Sequence, residues 1–367
     1  MLVALACLAI VACGAPHTSA PQGQGAGEAP VVDVYNWFDY LEPRVLNEFR
    51  QKTGITVRYS VFDSNNTLET KLLAGHSGYD VVFPSGAYLA SMIPAGVFLK
   101  LDKTRLPNLR NLDPSIMSRL AVQDPDNAHA VVYTWGITGL AYDIRKVRAR
   151  LGTEVPDSWS LLLDPATAGK LADCGIGLYE SPNILVPSVL AWLGQDPNSE
   201  DPAVLEKAQD ALVKVRKSIR KISTGSLVDD LASGELCLII ASNGDAMQAQ
   251  ERTRIGGNGE EVGFILPAEG AVMWMDVAAI PTDAPHPDNA HRFINFLMEA
   301  AVAAENTNAI HFPNANVASQ SAVRPELRNA TIYPRGERAA KLIPELPKSE
   351  QYVRLRTRMW TKFRTGE

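Results

Sequence analysis

The feature that most constrains this chain is an alternation that begins at residue 31. Val31-Val32-Asp33-Val34-Tyr35 has the composition of a strand. The pattern over 43–53 predicts a helix, with Pro43 suited to its first turn and Gly54 to its stop. Further strands are predicted over 55–61 and 79–83, the last stopped by Pro84. Helices are predicted over 65–74 and 88–92. Apolar, Val-rich strands alternating with helices indicate an α/β chain whose parallel strands are covered on both faces. Ligands of such sheets bind beyond the carboxyl ends of the strands.

A second region begins near Trp135. Strands are predicted there over 139–142, 175–179 and 236–241, and helices over 204–220, 245–253, 291–301 and 352–363. Strands resume after Glu261, so the chain crosses between two bodies more than once. The length of 367 residues agrees with about two domains. The sequence shows no internal repeat. Charged residues make up 21% of the chain and apolar ones 46%, which excludes extensive disorder. The net charge of −6 argues against a nucleic-acid surface and is compatible with small cationic ligands.

Residues 2–12, LVALACLAIVA, are apolar but too short to span a bilayer. An export signal fits better. The run ends in Ile10-Val11-Ala12-Cys13-Gly14, which resembles the bacterial lipobox and implies a lipid anchor on Cys13. A plain cleaved signal is the alternative, and the absence of Lys or Arg before Arg44 departs from the signal pattern. Residues 14–30, rich in Gly, Ala and Pro, form the expected flexible tether. Export leaves Cys174 and Cys237 in an oxidising compartment, where a bridge is favoured over two buried thiols.

Catalytic signatures are absent. The chain has no G-x-S-x-G elbow, no phosphate-binding G-x-x-x-x-G-K-[ST] loop and no H-E-x-x-H motif. The six histidines show no ligand spacing, so neither a metal site nor a cofactor is expected. What remains is a set of carboxylates beside aromatics at strand ends. Asp276 interrupts the apolar run 271–280, and strand periodicity puts Trp274 on its face. A buried carboxylate needs donors or a cation. Trp37 and Asp39 repeat the pairing after the first strand, although Asp39 also suits a cap for the helix at Pro43. Asp245, in Asn243-Gly244-Asp245, equally fits a helix N-cap. An aromatic face beside a carboxylate holds alkylammonium groups, through cation–π attraction and charge-assisted hydrogen bonds.

These segments resemble the periplasmic polyamine-binding proteins of bacterial ABC transporters, especially the putrescine-binding branch. The resemblance rests on Tyr35-Asn36-Trp37 with Asp39-Tyr40, Val61-Phe62-Asp63-Ser64-Asn65, GYDVVFPS at 78–85, Asn111-Leu112-Asp113-Pro114, Asp124-Pro125-Asp126-Asn127, GQDPNS at 194–199, Asn314-Ala315-Asn316, and Arg356-Thr357-Arg358 with Trp360-Thr361-Lys362. It implies a two-lobed periplasmic-binding-protein fold (type II) with the ligand in the interlobe cleft, and a Cys174–Cys237 disulfide. Residues 31–135 plus 262–310 are the expected first lobe, and 136–261 plus 311–367 the second. By matching position, the implied ligand set is Trp37, Asp39, Tyr40, Ser85, Asp245, Trp274, Asp276 and Phe312. The implied partners are a small cationic amine and the permease subunits of an inner membrane. The expected protein is a monomer, not an enzyme, and touches the membrane only through its lipid.

Three positions depart from the putrescine binders. Ile184 stands where they carry a Glu, Ser242 where they carry a pocket Trp, and Phe312 where a Tyr is usual. Glu180 compensates for the lost carboxylate if it points inward. These changes leave a longer polyamine, agmatine or an ω-amino acid open as ligand, the last feeding either a transporter or a sensor.

Overall fold

The computed structural model describes residues 28–366 apart from 153, 224, 258, 260, 330 and 331. The expected signal segment, Cys13 and most of the tether lie outside the described residues. Ten strands appear in chain order: β1 (Val31–Trp37), β2 (Thr56–Phe62), β3 (Val81–Val82), β4 (Ala130–Asp143), β5 (Ile176–Tyr179), β6 (Ile219–Ser223), β7 (Leu238–Ser242), β8 (Val262–Ile265), β9 (Ala271–Ala279) and β10 (Leu342–Pro344). They run β2-β1-β3-β9-β4-β7-β5-β6, with β10 on β9 and β8 on β4.

The 14-residue strand β4 joins the two halves of this order. Its residues 130–137 pair with β9, and residues 138–143 pair with β7 and β8. Two lobes result. In the second, side chains alternate between faces as a strand requires. Leu140, Leu238 and Ile240 join one core with Trp159, Leu212 and Phe363. Ala141, Ile239 and Ala241 join another with Leu231, Ala246 and Ile332. Helices therefore cover both faces of this sheet.

Local chemistry explains many of the boundaries. The helix Pro43–Thr53 has Pro43 in its first turn and buries Val45 and Phe49. It stops at Gly54, whose φ of 75° is left-handed and whose N–H closes on Arg50 O. Truncating a fully buried ring such as Phe49 typically costs about 3–5 kcal/mol.

The structure corrects several expectations. The sheets are mixed rather than parallel: β1 pairs in parallel with β2 and β3, whereas β3, β4 and β9 pair antiparallel. The helix expected over 204–220 ends at Val215. Ile219–Ser223 instead extends along β5, because Ile219 is needed in the core. The helix expected over 291–301 is two, Pro287–Leu297 and Ala300–Ile310. The strand at 79–83 shrinks to Val81–Val82. The helix Pro182–Trp192, apolar almost throughout and carrying Pro187 inside, was not expected.

Residues 28–30, expected in the tether, pack on the body instead. Glu28 accepts hydrogen bonds from the backbone N–H groups of Asp288 and Asn289, both at 2.8 Å, in the first turn of a helix. Asn289 Nδ2 in turn donates to the carbonyls of Ala29 and Val31. A carboxylate at a helix N-terminus is stabilised by the unpaired N–H groups there. The second-lobe pairing also extends beyond 262, since Val262–Ile265 bonds to Leu140–Asp143. Conversely, Leu342–Pro344 returns to the first lobe by pairing with Ala271–Met273.

Cys174 and Cys237 form a disulfide with Cα atoms 5.5 Å apart. It ties the turn before β5 to the start of β7. Closing a loop of 63 residues is worth about 4 kcal/mol in the chain-entropy account.

Candidate functional site

The site is built where β1, β4 and β9 meet the segment after the helix Ala300–Ile310. Asp276, on β9, is 7% exposed. Tyr40 Oη donates to its Oδ2 at 2.8 Å, and Thr134 Oγ1 donates to Tyr40 Oη at 2.9 Å. Tyr133 Oη holds the Tyr40 carbonyl at 2.6 Å and itself accepts from Asn306 Nδ2 at 2.6 Å. Adjacent residues of a regular strand point to opposite faces. Here the register of β4 against β9 shifts between Val132 and Thr134. That bulge lets Tyr133 and Thr134 both reach Tyr40.

Burial pushes the Asp276 carboxyl up to about 7. The Tyr40 hydroxyl pulls against that shift, and the nearby Glu345 charge adds to it. A carboxylate in this state has one phenolic donor and little water. It gains most from a cation brought alongside.

Aromatic rings surround it. Phe312 packs edge-to-face on Trp274 with centroids 5.3 Å apart, and lies 5.5 Å from Tyr40. Two glycines admit these rings. A Cβ on Gly136 would sit 2.2 Å from the Trp274 ring, and one on Gly244 would sit 2.3 Å from Phe312. Phe312 is delivered by a helix stop at His311, whose φ is 65°. It is fixed from behind, where Trp135 N donates to Pro313 O and Trp135 Nε1 to Asn314 O.

The β1 end supplies Trp37, Phe38 and Asp39. Trp37 is half-buried on Phe62, with centroids 4.5 Å apart, and its indole N–H has no protein partner. Asp39 is exposed in left-handed backbone, φ 52°. Its helix-capping alternative is excluded, because Glu42 caps the helix at Pro43. Ser85 bridges to Asp276 through backbone pairing, and its side chain accepts from Asn65 Nδ2 at 2.9 Å.

Asp245 sits on the second lobe, next to Gly244, whose backbone lies against the Phe312 ring. It is the third residue of a capping box. Its Oδ2 accepts from Ser242 N at 3.0 Å, Ser242 Oγ at 2.6 Å and Tyr179 Oη at 2.6 Å. Ser242, at the position where the resemblance gives the putrescine binders a pocket Trp, is the N-cap of that helix.

Glu180 is not brought to this set. Tyr179 and Glu180 alternate at the end of β5. Tyr179 turns to Asp245, whereas Glu180 pairs with Arg364 of the C-terminal helix. Ile184 is half-buried against the second-lobe core. Asp33, Asp80 and His286 place ligand-type atoms within 4.8 Å of one another. Asp80 is already filled by the backbone N–H groups of Asp33 and His286, and Asp33 is paired with Arg58.

Sequence reasoning missed Tyr133, Thr134, Tyr179 and the two ring-admitting glycines. The sequence signal for the glycines was their place three residues outside expected strands, Gly136 before 139–142 and Gly244 after 236–241.

A two-lobed α/β body with a polar and aromatic site where the lobes meet is the architecture of a solute-binding receptor. The chain belongs to the bacterial extracellular solute-binding protein family, whose model matches residues 44–331. It is 42% identical to the putrescine-binding periplasmic protein SpuD of Pseudomonas aeruginosa, over 93% of this chain and 94% of that one. It is 41% identical to the putrescine-binding periplasmic protein PotF of Escherichia coli, over 94% of each. Among solved structures, the spermidine/putrescine transporter substrate-binding protein PotD of Streptococcus pneumoniae superposes with a TM-score of 0.81. That match has 25% identity and covers 92% of this chain and 99% of that one.

Proposed function

We propose that this protein captures a polyamine or related small amine in the periplasm and delivers it to an ABC permease, without chemical change to the amine. The observation that carries the reading is Asp276: a buried carboxylate with one phenolic donor, flanked by Trp274, Tyr40 and Phe312. Its ammonium partner gains a charge-assisted bond on one side and ring faces on the other. The two putrescine-binding relatives support this reading.

In this reading Trp37, Asp39, Tyr40, Ser85, Trp274, Asp276 and Phe312 line the ligand, and Asp245 faces it from the second lobe. Glu180 is left out because Arg364 holds it. Lobe closure about β4 buries the ligand. Cys13 carries a lipid, residues up to 27 act as the tether, and the protein works as a monomer.

The test is thermal shift of the purified protein against putrescine, cadaverine, spermidine, spermine, agmatine and 4-aminobutyrate. Stabilisation by at least one di- or polyamine above 4-aminobutyrate is expected. No stabilisation by any amine overturns the reading.

A further inference from the structure

The loop that carries Tyr40 is clipped from behind by Asn306, a residue of the helix Ala300–Ile310 that is 4% exposed. Asn306 Oδ1 accepts from Glu42 N at 2.9 Å, and Asn306 Nδ2 donates to Tyr133 Oη at 2.6 Å. Tyr133 Oη donates in turn to Tyr40 O at 2.6 Å. The polarity of this circuit has one solution. The Glu42 N–H only donates and the Tyr40 carbonyl only accepts, so the amide oxygen must face Glu42 and the Tyr133 proton must face Tyr40. The circuit closes around residues 40–42 and begins and ends on that one loop.

The clip fixes the backbone from which Tyr40 projects. Thr134 Oγ1 fixes the Tyr40 hydroxyl, which donates to Asp276 Oδ2. The Tyr40 ring packs on Phe312. The next residue of the helix, Thr307, accepts through Oγ1 from Asn314 Nδ2 at 2.8 Å, in the segment that carries Phe312. One helical turn thus anchors both the Tyr40 loop and the Phe312 segment. Asn306 forms no hydrogen bond to Asp276, so its effect on that carboxylate passes through Tyr133 and Tyr40.

We propose that Asn306 is a positioning residue of the amine site: by clipping residues 40–42 it holds the Tyr40 hydroxyl on Asp276 and the Tyr40 ring on Phe312. The consequence for affinity rests on the amine-binding reading above. The titratable groups that act on Asp276 are Tyr40 from this loop, Tyr133 from β4 and Glu345 just after β10. Asn306→Leu keeps all three in the chain and changes only how the two tyrosines are held. The Tyr40 hydrogen bond pulls the Asp276 carboxyl down, so loosening it lets the carboxyl rise.

The test uses wild type, Asn306→Leu, Tyr40→Phe and the double variant, with two readouts. Carbon NMR follows the Asp276 carboxyl titration in the empty protein, and calorimetry follows putrescine affinity. Asn306→Leu should raise the titration midpoint by about half a pH unit or more and weaken putrescine roughly tenfold at pH 7. In Tyr40→Phe the same substitution should add no further rise, because the donor it positions is gone. A midpoint that stays put while only the melting temperature falls marks a merely structural amide and overturns the proposal. An equal rise with and without the Tyr40 hydroxyl overturns it too. If Asn306→Leu fails to fold, Tyr133→Phe breaks the circuit at its next link and should give the same rise; no rise there overturns the proposal. A wild type that binds no amine overturns the amine-binding reading, while the midpoints still decide the role of Asn306.

Discussion

Asp276, inside β9, and Asp245, in the first turn of a helix, are both candidate site carboxylates, yet the fold treats them oppositely. Asp276 is buried with one donor, and its carboxyl is pushed up to about 7. Asp245 is half-buried and already receives three donors from Ser242 and Tyr179. The first is a carboxylate whose charge the protein does not fully stabilise. The second is a structural cap, closed by its own helix start and by Tyr179. An unsatisfied charge is strongly coupled to a ligand cation, and a satisfied one only weakly.

The sharpest way to break this contrast is Asp276→Asn. It should cost diamine affinity about 2–5 kcal/mol, measured by calorimetry. Its effect on the empty protein has the opposite sign. The folded carboxyl is raised above 3.8, so the folded state binds more protons than the unfolded between about pH 4 and 7. Wild-type stability therefore falls as pH rises through that window. Asp276→Asn should melt higher than wild type at pH 8, and the gap should close near pH 4. A lower melting temperature at pH 8 would refute the unsatisfied-charge account.

Affinity should follow the same group. Below pH 7 wild-type affinity for putrescine should fall by about tenfold per unit, as Asp276 takes up one proton. It should level off above pH 7. Tyr40→Phe removes the one donor that pulls the Asp276 carboxyl down, so the midpoint should move to higher pH. A midpoint that stays put or moves down contradicts the assignment.

Asp245→Asn probes the other side. Losing part of the capping box should lower stability by about 1 kcal/mol, read as a drop in melting temperature. Its affinity loss for putrescine should be smaller than that of Asp276→Asn; a larger one would reverse the contrast. The smallest effect is expected for Phe312→Tyr, below about 1 kcal/mol in affinity, because the ring contacts with Trp274 and Tyr40 are kept.

Much of the first lobe was legible in advance. The helix over 43–53 was expected at the residues it occupies, because Pro43 and Gly54 set its ends locally. Asp276 stood out because a lone Asp in an apolar strand is rare and costly. Glu180 went the other way. Nothing near it in sequence marks Arg364, which lies 184 residues away and claims its carboxylate. The helix expected to run on through Ile219 and Arg220 fails for a similar reason. The charged residues of Ile219–Ser223 suit a helix surface, and only pairing with β5 makes it a strand.

The sequence by itself determined the alternating elements, the three candidate aspartates and the cysteine pair, since local periodicity, capping and burial cost act within a few residues. The tertiary structure decided how those carboxylates are used. Whether a charge is satisfied depends on donors brought from Tyr40, Thr134, Tyr179 and Ser242. These are contacts between segments far apart along the chain, and only the folded register fixes them.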